Sequence, residues 1–221
     1  MFVSADTKAR LLAAASELFA ERGFHGTTIR DIAARAGVNV AAGHYHYGSK
    51  KALYLEVLRA QFAEVQALFR ARGAALPRGP LAAPPRALRA MLRARVQVML
   101  ELLIGPPPGL HGTLMQREMC DPSEALPVIV DEFIAPMVRE MREITARLVP
   151  GLDGKALERS VFSITGQALF YRFTMPAMLR LLAVPAYPGG FSRQLAEHIT
   201  EFSLGGMARV AAGRKRGRHA R

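Results

Sequence analysis

The sequence predicts an all-α protein in which a small N-terminal three-helix unit and a connecting helix precede a larger helical bundle. Apolar residues recur at spacings of three and four through most of the chain, which is the period of an amphipathic helix. No strand-length segment alternates between apolar and polar residues, and no βαβ pattern occurs. Half of the 221 residues are apolar, which is enough for a buried core without metal or disulfide support.

The N-terminal third predicts four helices. The first covers residues 7–22, and Thr28 begins the second as an N-cap, with an acidic residue placed to complete a capping box. A short third helix covers 39–47, and a fourth opens at 49 and runs to 72. The apolar face of the first helix consists of Leu11, Ala15, Leu18 and Phe19.

Prolines and glycines divide the rest of the chain. A linker rich in Gly, Ala and Pro covers 73–85, and three prolines at 106–108 form a hard stop. Pro127 is expected to delay one helix start, and Pro136 to kink the helix that follows. Further helices are predicted over 86–104, 121–148, 153–174, 176–182 and 192–212.

Residues 28–47 have the pattern of a helix-turn-helix. The apolar positions of its first helix face inward, small Ala33 lets the second helix cross closely, and Gly37 suits a left-handed turn. No acidic residue lies between Asp31 and Glu56, whereas this interval holds three lysines or arginines and two histidines. Because carboxylates repel phosphates, the interval predicts a surface that approaches nucleic acid. The alternative is a helical hairpin with a basic, solvated face.

Three stretches in order extend this pattern: AAASELF at 13–19, ERGFHGTT at 21–28 leading into the helix-turn-helix, and YHYGSKKAL at 45–53. Residues 7–55 therefore resemble the DNA-binding domain of the TetR family of transcriptional regulators. The resemblance implies a repressor-like homodimer on double-stranded operator DNA. By position it implies base contacts from Asn39, Val40, Ala41 and His44, and phosphate contacts from Thr28, Tyr45, His46 and Lys50.

This chain departs from the family at two positions. Gly43 replaces a residue that is usually large and apolar, and His44 replaces one that is often tyrosine. Glycine in a helix costs roughly 1 kcal/mol relative to alanine, so Gly43 is expected to loosen the second helix.

Later stretches, QREMCDPS at 116–123, EFIAP at 132–136 and GQALFY at 166–171, are similar to a CecR-like subgroup of the same family. The subgroup implies a small-molecule effector of unknown identity in the C-terminal bundle. Some of the candidate residues also have a structural interpretation. Arg117 could brace two helices, Gln167 could hydrogen-bond the backbone or water, and the methionines could be ordinary core residues. The candidate ligand-binding residues are Met99, Met115, Arg117, Met137, Gln167, Phe170 and Tyr171.

The last two long helices are expected to pair across a two-fold axis. The adjacent glycines Gly205 and Gly206 allow another backbone to approach, or they mark a fraying end. The predicted dimer face consists of Leu195, Ile199, Phe202 and Met207 on the last helix and of Phe162, Leu169 and Phe173 on the preceding one.

The chain thus divides into a helix-turn-helix DNA-binding domain (1–50), a connecting helix (51–72), a ligand-binding and dimerisation domain (73–208) and a basic disordered tail (209–221). The tail carries six of the twelve net positive charges. We expect a cytoplasmic, ligand-responsive transcriptional repressor that binds a pseudo-palindromic operator.

Other classes of protein are less well supported. There is no nucleophile–base pair, cofactor loop or membrane span, and the single Cys120 excludes an internal disulfide. His44 and His46 point to different sides of a helix, so a shared metal ion is not expected. No cofactor is expected either, since no phosphate-binding glycine loop is present. Two alternatives stay open: a helical small-molecule-binding protein or enzyme without sequence-specific DNA binding, and a basic-tail protein that binds membranes or nucleic acid without sequence choice.

Overall fold

The computed structural model describes residues 2–76, 83–105, 110–152 and 154–219. Within these ranges the chain is helical and has no strand, which confirms the predicted fold class. The α-helices are α1 Phe2–Arg22, α2 Ile29–Ala36, α3 Val40–Tyr47, α4 Lys50–Ala71, α5 Pro85–Ile104, α6 Leu110–Cys120, α7 Leu126–Ile129, α8 Ala135–Leu148, α9 Gly154–Phe173, α10 Met175–Leu181 and α11 Phe191–His219.

Contacts divide the chain into two compact units. The head unit comprises Met1–Val65 and Leu110–Phe133, and the bundle unit comprises Gln66–Gly109 and Ile134–Arg221. The head unit therefore contains α6 and α7 in addition to the helix-turn-helix. The domain boundaries drawn from the sequence remain predictions.

The head unit is organised around α1. Its predicted apolar face is buried, and α2 packs against both α1 and α3. The predicted capping box is present, since Thr28 Oγ1 accepts from the Asp31 amide at 3.1 Å and Asp31 Oδ2 accepts from the Thr28 amide at 3.0 Å. Gly37 ends α2 with a φ of +65°, the left-handed conformation that the sequence predicted.

The bundle unit is built on α5, which packs against α8, α9 and α11. This arrangement corrects half of the predicted dimer face. Leu195, Ile199 and Met207 of α11 are buried in the core of their own bundle, so they are not free to meet a second copy. Leu169 also packs against this core, whereas Phe162, Phe173 and Phe202 are exposed.

The segment after α5 differs most from expectation. Residues 110–120 form α6, a helix that was not predicted, and the predicted start at Asp121 is wrong. Ser123 caps the following turn by accepting from the Ala125 amide, and α7 begins only at Leu126, in keeping with the expected delay. A π-helical turn, Val130–Ile134, then leads into α8, where Pro136 sits in the first turn and needs no amide hydrogen bond.

Two other helices are longer than predicted: α1 begins at Phe2 rather than at residue 7, and α11 continues to His219 rather than ending near Ala212. The remaining helix bounds lie within one or two residues of the prediction. Several predicted features lie outside the described residues: the linker at 77–82, the prolines at 106–108, the helix start at Asp153, and tail residues 220–221. In the described part of the chain, no helix combines the length and the apolar character that crossing a membrane requires.

Candidate nucleic-acid interface

Helix α3 has a buried face and an exposed face. Tyr47 is buried and its hydroxyl donates to the Lys8 carbonyl oxygen at 2.9 Å, which anchors the end of α3 to α1. Tyr45 is 84% exposed and stacks edge-on against His46. The exposed residues of α3 and its N-cap are Asn39, Val40, Ala41, His44 and Tyr45. All four predicted base-contacting residues are therefore exposed.

Gly43 lies on the buried face of α3, opposite α2. A Cβ at this position would lie 2.9 Å from Ile29 Cγ2, which is closer than carbon atoms normally approach. Glycine therefore lets α3 pack tightly on α2, in addition to its predicted effect on helix propensity.

Several predicted contact residues also hold the ends of their own helices. Asn39 Oδ1 accepts from the Ala41 amide at 3.0 Å and so caps α3. His44 Nδ1 lies 3.3 Å from the Gly48 carbonyl oxygen, at the other end of the same helix. Thr28 Oγ1 donates to Asp31 Oδ2 at 2.6 Å. These hydrogen bonds hold the polar side chains of the candidate interface in defined positions before any ligand binds.

The positive charges that the sequence places near α3 are less available than their number suggests. Lys50 Nζ donates to the Phe24 carbonyl oxygen at 3.1 Å and lies over the Phe24 ring. Lys51 Nζ is 4.0 Å from a Glu124 carboxylate oxygen. Arg35 hydrogen-bonds two glutamates of α1, which raise the pKa of its guanidinium.

Arg117, predicted as a ligand-binding residue, instead joins two helices of the head unit. Its Nε donates to the Ala20 carbonyl oxygen at 2.9 Å and its Nη2 to that of Glu21 at 2.6 Å. This is the bracing role that the sequence left as the alternative, with backbone carbonyls rather than carboxylates as the partners.

Glu118, the next residue, is the centre of a buried polar cluster. Its Oε2 accepts from the Tyr54 hydroxyl at 3.0 Å, and its Oε1 accepts from the amide and hydroxyl of Ser123, both at 2.9 Å. Burial, and then the neighbouring carboxylate, raise the pKa of Tyr54, so the hydroxyl stays a donor. Sequence reasoning did not identify this cluster, although the acidic residue in the motif at 116–119 was a signal.

The candidate ligand-binding residues belong to both units, with Met115 and Arg117 in the head unit and the other five in the bundle unit. Gln167 Nε2 donates to Ser203 Oγ at 3.0 Å and to the Ser163 carbonyl oxygen, so its amide has the protein partners foreseen as an alternative. Phe170 is exposed, and Met99, Met115, Met137 and Tyr171 are partly buried. A cavity of about 680 Å³ among α5, α8 and α11 is lined by none of the seven.

The bundle unit also contains a buried cation that the sequence reasoning missed. Arg95 is only 2% exposed, pairs with Glu140 at 2.7 Å and donates to the Ala74 carbonyl oxygen at 2.8 Å. Its guanidinium lies 4.8 Å from the Phe69 ring centroid, and desolvation lowers its pKa. Its position in the apolar period of α5 could have revealed it.

Among the described residues, no group of three or more His, Cys, Asp or Glu side chains is placed to hold a metal ion. The capped α2, the left-handed turn and the exposed, acid-free α3 together have the geometry of a helix-turn-helix that presents its second helix to a major groove. The fold and the head unit thus define a helix-turn-helix protein of the regulator class.

Comparison with protein families agrees with this assignment. The model for bacterial regulatory proteins of the tetR family matches residues 11–57, and the model for the C-terminal domain of the HTH-type transcriptional dual regulator CecR matches 88–207. The second match covers more than half of the chain. The chain belongs to the TetR family of bacterial regulators, with a C-terminal domain of the CecR type. Members of this family are regulators and not enzymes.

Curated relatives are similar over part of their length. CecR of Shigella flexneri is 33% identical over 145 residues, which is 63% of this chain and 63% of CecR. The transcriptional activator FasR of Mycolicibacterium smegmatis is 44% identical over 54 residues, 24% of this chain and 25% of FasR. The repressor KstR2 of Rhodococcus jostii is 44% identical over 52 residues, 24% of this chain and 26% of KstR2. The chain therefore aligns with less than two thirds of each relative.

Solved structures show the same fold over nearly the whole chain. A TetR-family regulator from Streptomyces coelicolor superposes with a TM-score of 0.65 at 18% identity, covering 92% of this chain and 97% of that one. AibR, solved in complex with isovaleryl coenzyme A and operator DNA, superposes with a TM-score of 0.61 at 17% identity, covering 89% and 97%.

Proposed function

We propose that this protein is a ligand-responsive transcriptional repressor that binds a pseudo-palindromic operator as a homodimer. The exposed face of α3 carries the proposal, because it presents short polar and apolar side chains with no carboxylate among them. In a major groove, Asn39, Val40, Ala41 and His44 contact base edges. Thr28, Tyr45, His46 and Lys50 hold the flanking phosphates.

Two-fold symmetry of the protein predicts two-fold symmetry of the operator. The two copies of α3 read half-sites whose centres lie about 34–36 Å apart, or a multiple of that distance. Phosphate contacts set the affinity and its salt dependence, and the side chains of α3 set the sequence preference.

Exposed aromatic side chains on α9 and α11 support the homodimer. Phe162, Phe173 and Phe202 are between 41% and 66% exposed, which is unusual for phenylalanine in a solvated bundle. Gly205 and Gly206 face open space on the same α11, so another backbone can approach there. Pairing of α9 and α11 with their symmetry mates would bury these rings in a four-helix interface.

A small molecule in the bundle unit would release the DNA if it bound one conformation of the protein more tightly than the other. Within this unit, Met99, Met137, Phe170 and Tyr171 remain the proposed contacts. Met115 lies in the head unit, and Arg117 and Gln167 are bonded within the protein. AibR, which has the same fold, was solved in complex with isovaleryl coenzyme A and operator DNA, and this supports the proposal. The relatives comprise a dual regulator, an activator and a repressor. The proposed repressor role therefore rests on the resemblance of the DNA-binding domain to the family and not on these relatives.

Fluorescence anisotropy tests the DNA-binding proposal. The protein is titrated onto duplex DNA from upstream of its own gene and onto a scrambled duplex of equal length, each at two salt concentrations. A preference on the order of 10³-fold or more is expected of a specific binder. Binding that is equal on both duplexes, and disappears when residues 209–221 are deleted, would contradict the proposal in favour of non-specific attraction by the tail.

Tyr45→Ala tests the assigned interface, and its 84% exposure means that the fold does not depend on it. We expect weaker binding to both duplexes, because a phosphate contact is independent of sequence. Val130→Ala, an exposed change outside the proposed interface, is the control. Unchanged affinity for Tyr45→Ala would remove this residue from the interface.

A further inference from the structure

The segment 110–133 is assigned to one domain by its sequence and to another unit by its packing. It lies inside the match to the CecR-type C-terminal domain, which covers 88–207. In the structure it packs with the head unit, although along the sequence it lies between the two segments that form the bundle unit.

The segment makes several polar contacts to α1 and α4. Glu124 and Glu132 pair with Lys51 and Arg59 at the surface of α4. The adjacent residues Arg117 and Glu118 bond the end of α1 and the buried side of α4.

Arg117 holds the end of α1. The last carbonyl groups of a helix have no partner within the helix, and a cation near them is favourable. The planar guanidinium donates to two of them, on Ala20 and Glu21. The Arg117 side chain also lies 3.8 Å from the position of a Cβ on Gly23, where the chain turns out of α1. This turn leads, five residues later, to the N-cap Thr28.

Glu118 holds the first part of α4. It is 2% exposed and accepts the Tyr54 hydroxyl hydrogen bond, while Ser123 occupies its other oxygen. The Tyr54 ring packs against Phe19 at 4.8 Å and Phe24 at 5.1 Å between ring centroids. The carbonyl oxygen of Phe24 in turn accepts from Lys50. The carboxylate is thus connected through one tyrosine to the segment that precedes α2.

We propose that Arg117 and Glu118 are positioning residues for DNA binding, and that α6 acts as a brace of the head although it belongs by sequence to the C-terminal domain. This inference rests on the proposed function. The brace fixes the α1–α2 turn and the start of α4, from which Thr28 and Lys50 are proposed to reach phosphates. Binding to a preorganised surface does not have to order these segments, so loss of the brace lowers affinity.

Arg117→Met in the full-length protein tests the proposal, since methionine keeps an unbranched chain but has no donor. Operator affinity is measured by anisotropy well below the melting temperature, where the variant is folded. We expect a loss of about tenfold, the scale of one or two hydrogen bonds to a charged group. A merely structural role lowers the melting temperature and leaves this affinity unchanged.

Three further variants sharpen the result. Arg117→Lys restores one donor but not the fork, so it should recover part of the loss. Tyr54→Phe removes the hydroxyl alone and should weaken binding in the same direction through α4. Arg142→Met, an exposed arginine of α8, is the matched control and should bind within twofold of wild type.

Hydrogen exchange separates failure of the brace from failure of the proposed function. Amides of residues 19–28 should exchange faster in Arg117→Met than in wild type, while those of the bundle unit should not change. Wild-type protein without any sequence preference would overturn the proposed function, and the exchange experiment would still test the brace. Unaltered exchange at 19–28, or operator affinity within twofold of wild type in folded Arg117→Met, overturns the brace.

Discussion

Gly43→Ala should destabilise the head unit, although alanine is the better helix former. The propensity gain is about 1 kcal/mol. The added methyl group, however, would lie 2.9 Å from Ile29 Cγ2, well inside the ordinary carbon–carbon contact of about 3.5–4.0 Å. Overpacking of this kind costs about 1–3 kcal/mol. The balance is a loss of about 1 kcal/mol, or about 2–4 °C in melting temperature for a chain of this size.

A double-mutant cycle with Ile29→Ala isolates the steric part of this effect. Removing the Ile29 methyl groups takes away the clash, so Gly43→Ala in the Ile29→Ala background should raise the melting temperature. Melting is followed by circular dichroism at 222 nm, and operator affinity is measured on the same samples. If Gly43→Ala stabilises both backgrounds by the same amount, the close packing of α3 on α2 has no energetic importance and the reasoning is refuted.

Three other predictions concern the buried carboxylate, the dimer and alkaline pH. Glu118→Ala leaves the Tyr54 hydroxyl and the Ser123 amide without an acceptor, so it should lower the free energy of unfolding by about 3 kcal/mol. The melting temperature should fall by about 6–12 °C. A fall below 2 °C would contradict the assignment of a buried, fully hydrogen-bonded cluster. Phe202→Glu should shift the protein to monomer in analytical ultracentrifugation, whereas the exposed control Val130→Glu should stay dimeric; two dimeric variants would place the interface elsewhere. Because burial raises the pKa of Tyr54, the folded protein holds this proton more tightly than the unfolded chain, and stability present below pH about 10 should be lost as pH rises further. Tyr54→Phe should flatten this alkaline decline in a melting-temperature profile, and an equal decline in both proteins would assign it to other groups.

The head could be predicted in detail because its signals are local. Thr28 and Asp31 are three residues apart, and the glycine that ends α2 follows it directly. A capping box and a left-handed turn depend on the chain within one helical turn, so their residues can be identified without knowledge of the rest of the fold.

The brace could not be predicted in the same way. Arg117 bonds carbonyls 96 and 97 residues away in the sequence, and no local pattern specifies that distance. Helix α6 itself was missed because it follows three prolines and carries Gly112 and Thr113, which lower helix propensity, and because no capping residue marks its start. The motif at 116–119 was recognised, but its interpretation as part of a ligand site depended on the likeness to a family.

Periodicity identified apolar faces without showing which one meets the core. On α11, Ile199 and Phe202 are three residues apart and both lie in an apolar pattern, yet the first is 1% and the second 66% exposed. A helix that packs on its own bundle and also pairs with a second copy has apolar residues on two faces. The sequence pattern does not show which of these residues face the core of the monomer and which remain exposed. For that reason half of the predicted dimer face was wrong.

The hydrogen bonds and ion pairs of the head unit also change the electrostatic argument for DNA binding. Each of the three lysines and arginines between Asp31 and Glu56 has a partner within the head unit: Lys50 and Arg35 donate hydrogen bonds, and Lys51 lies 4.0 Å from a carboxylate. Phosphate contacts made by hydroxyl groups and by helix N-termini release few counterions. Each phosphate that a cation neutralises, in contrast, makes the negative slope of log K against log salt steeper by about 0.9.

We therefore expect a shallow salt dependence for a variant that lacks residues 209–221, and a steeper one for the full chain, whose tail has six cations. The specificity ratio between operator and scrambled duplex should be the same in both proteins, because attraction between a basic tail and phosphates is independent of sequence. A slope that stays steep after the deletion would show that cations of the head unit neutralise phosphates. Alanine variants of Lys50, Lys51, Arg35 and the exposed Arg30 would then identify which of them contribute.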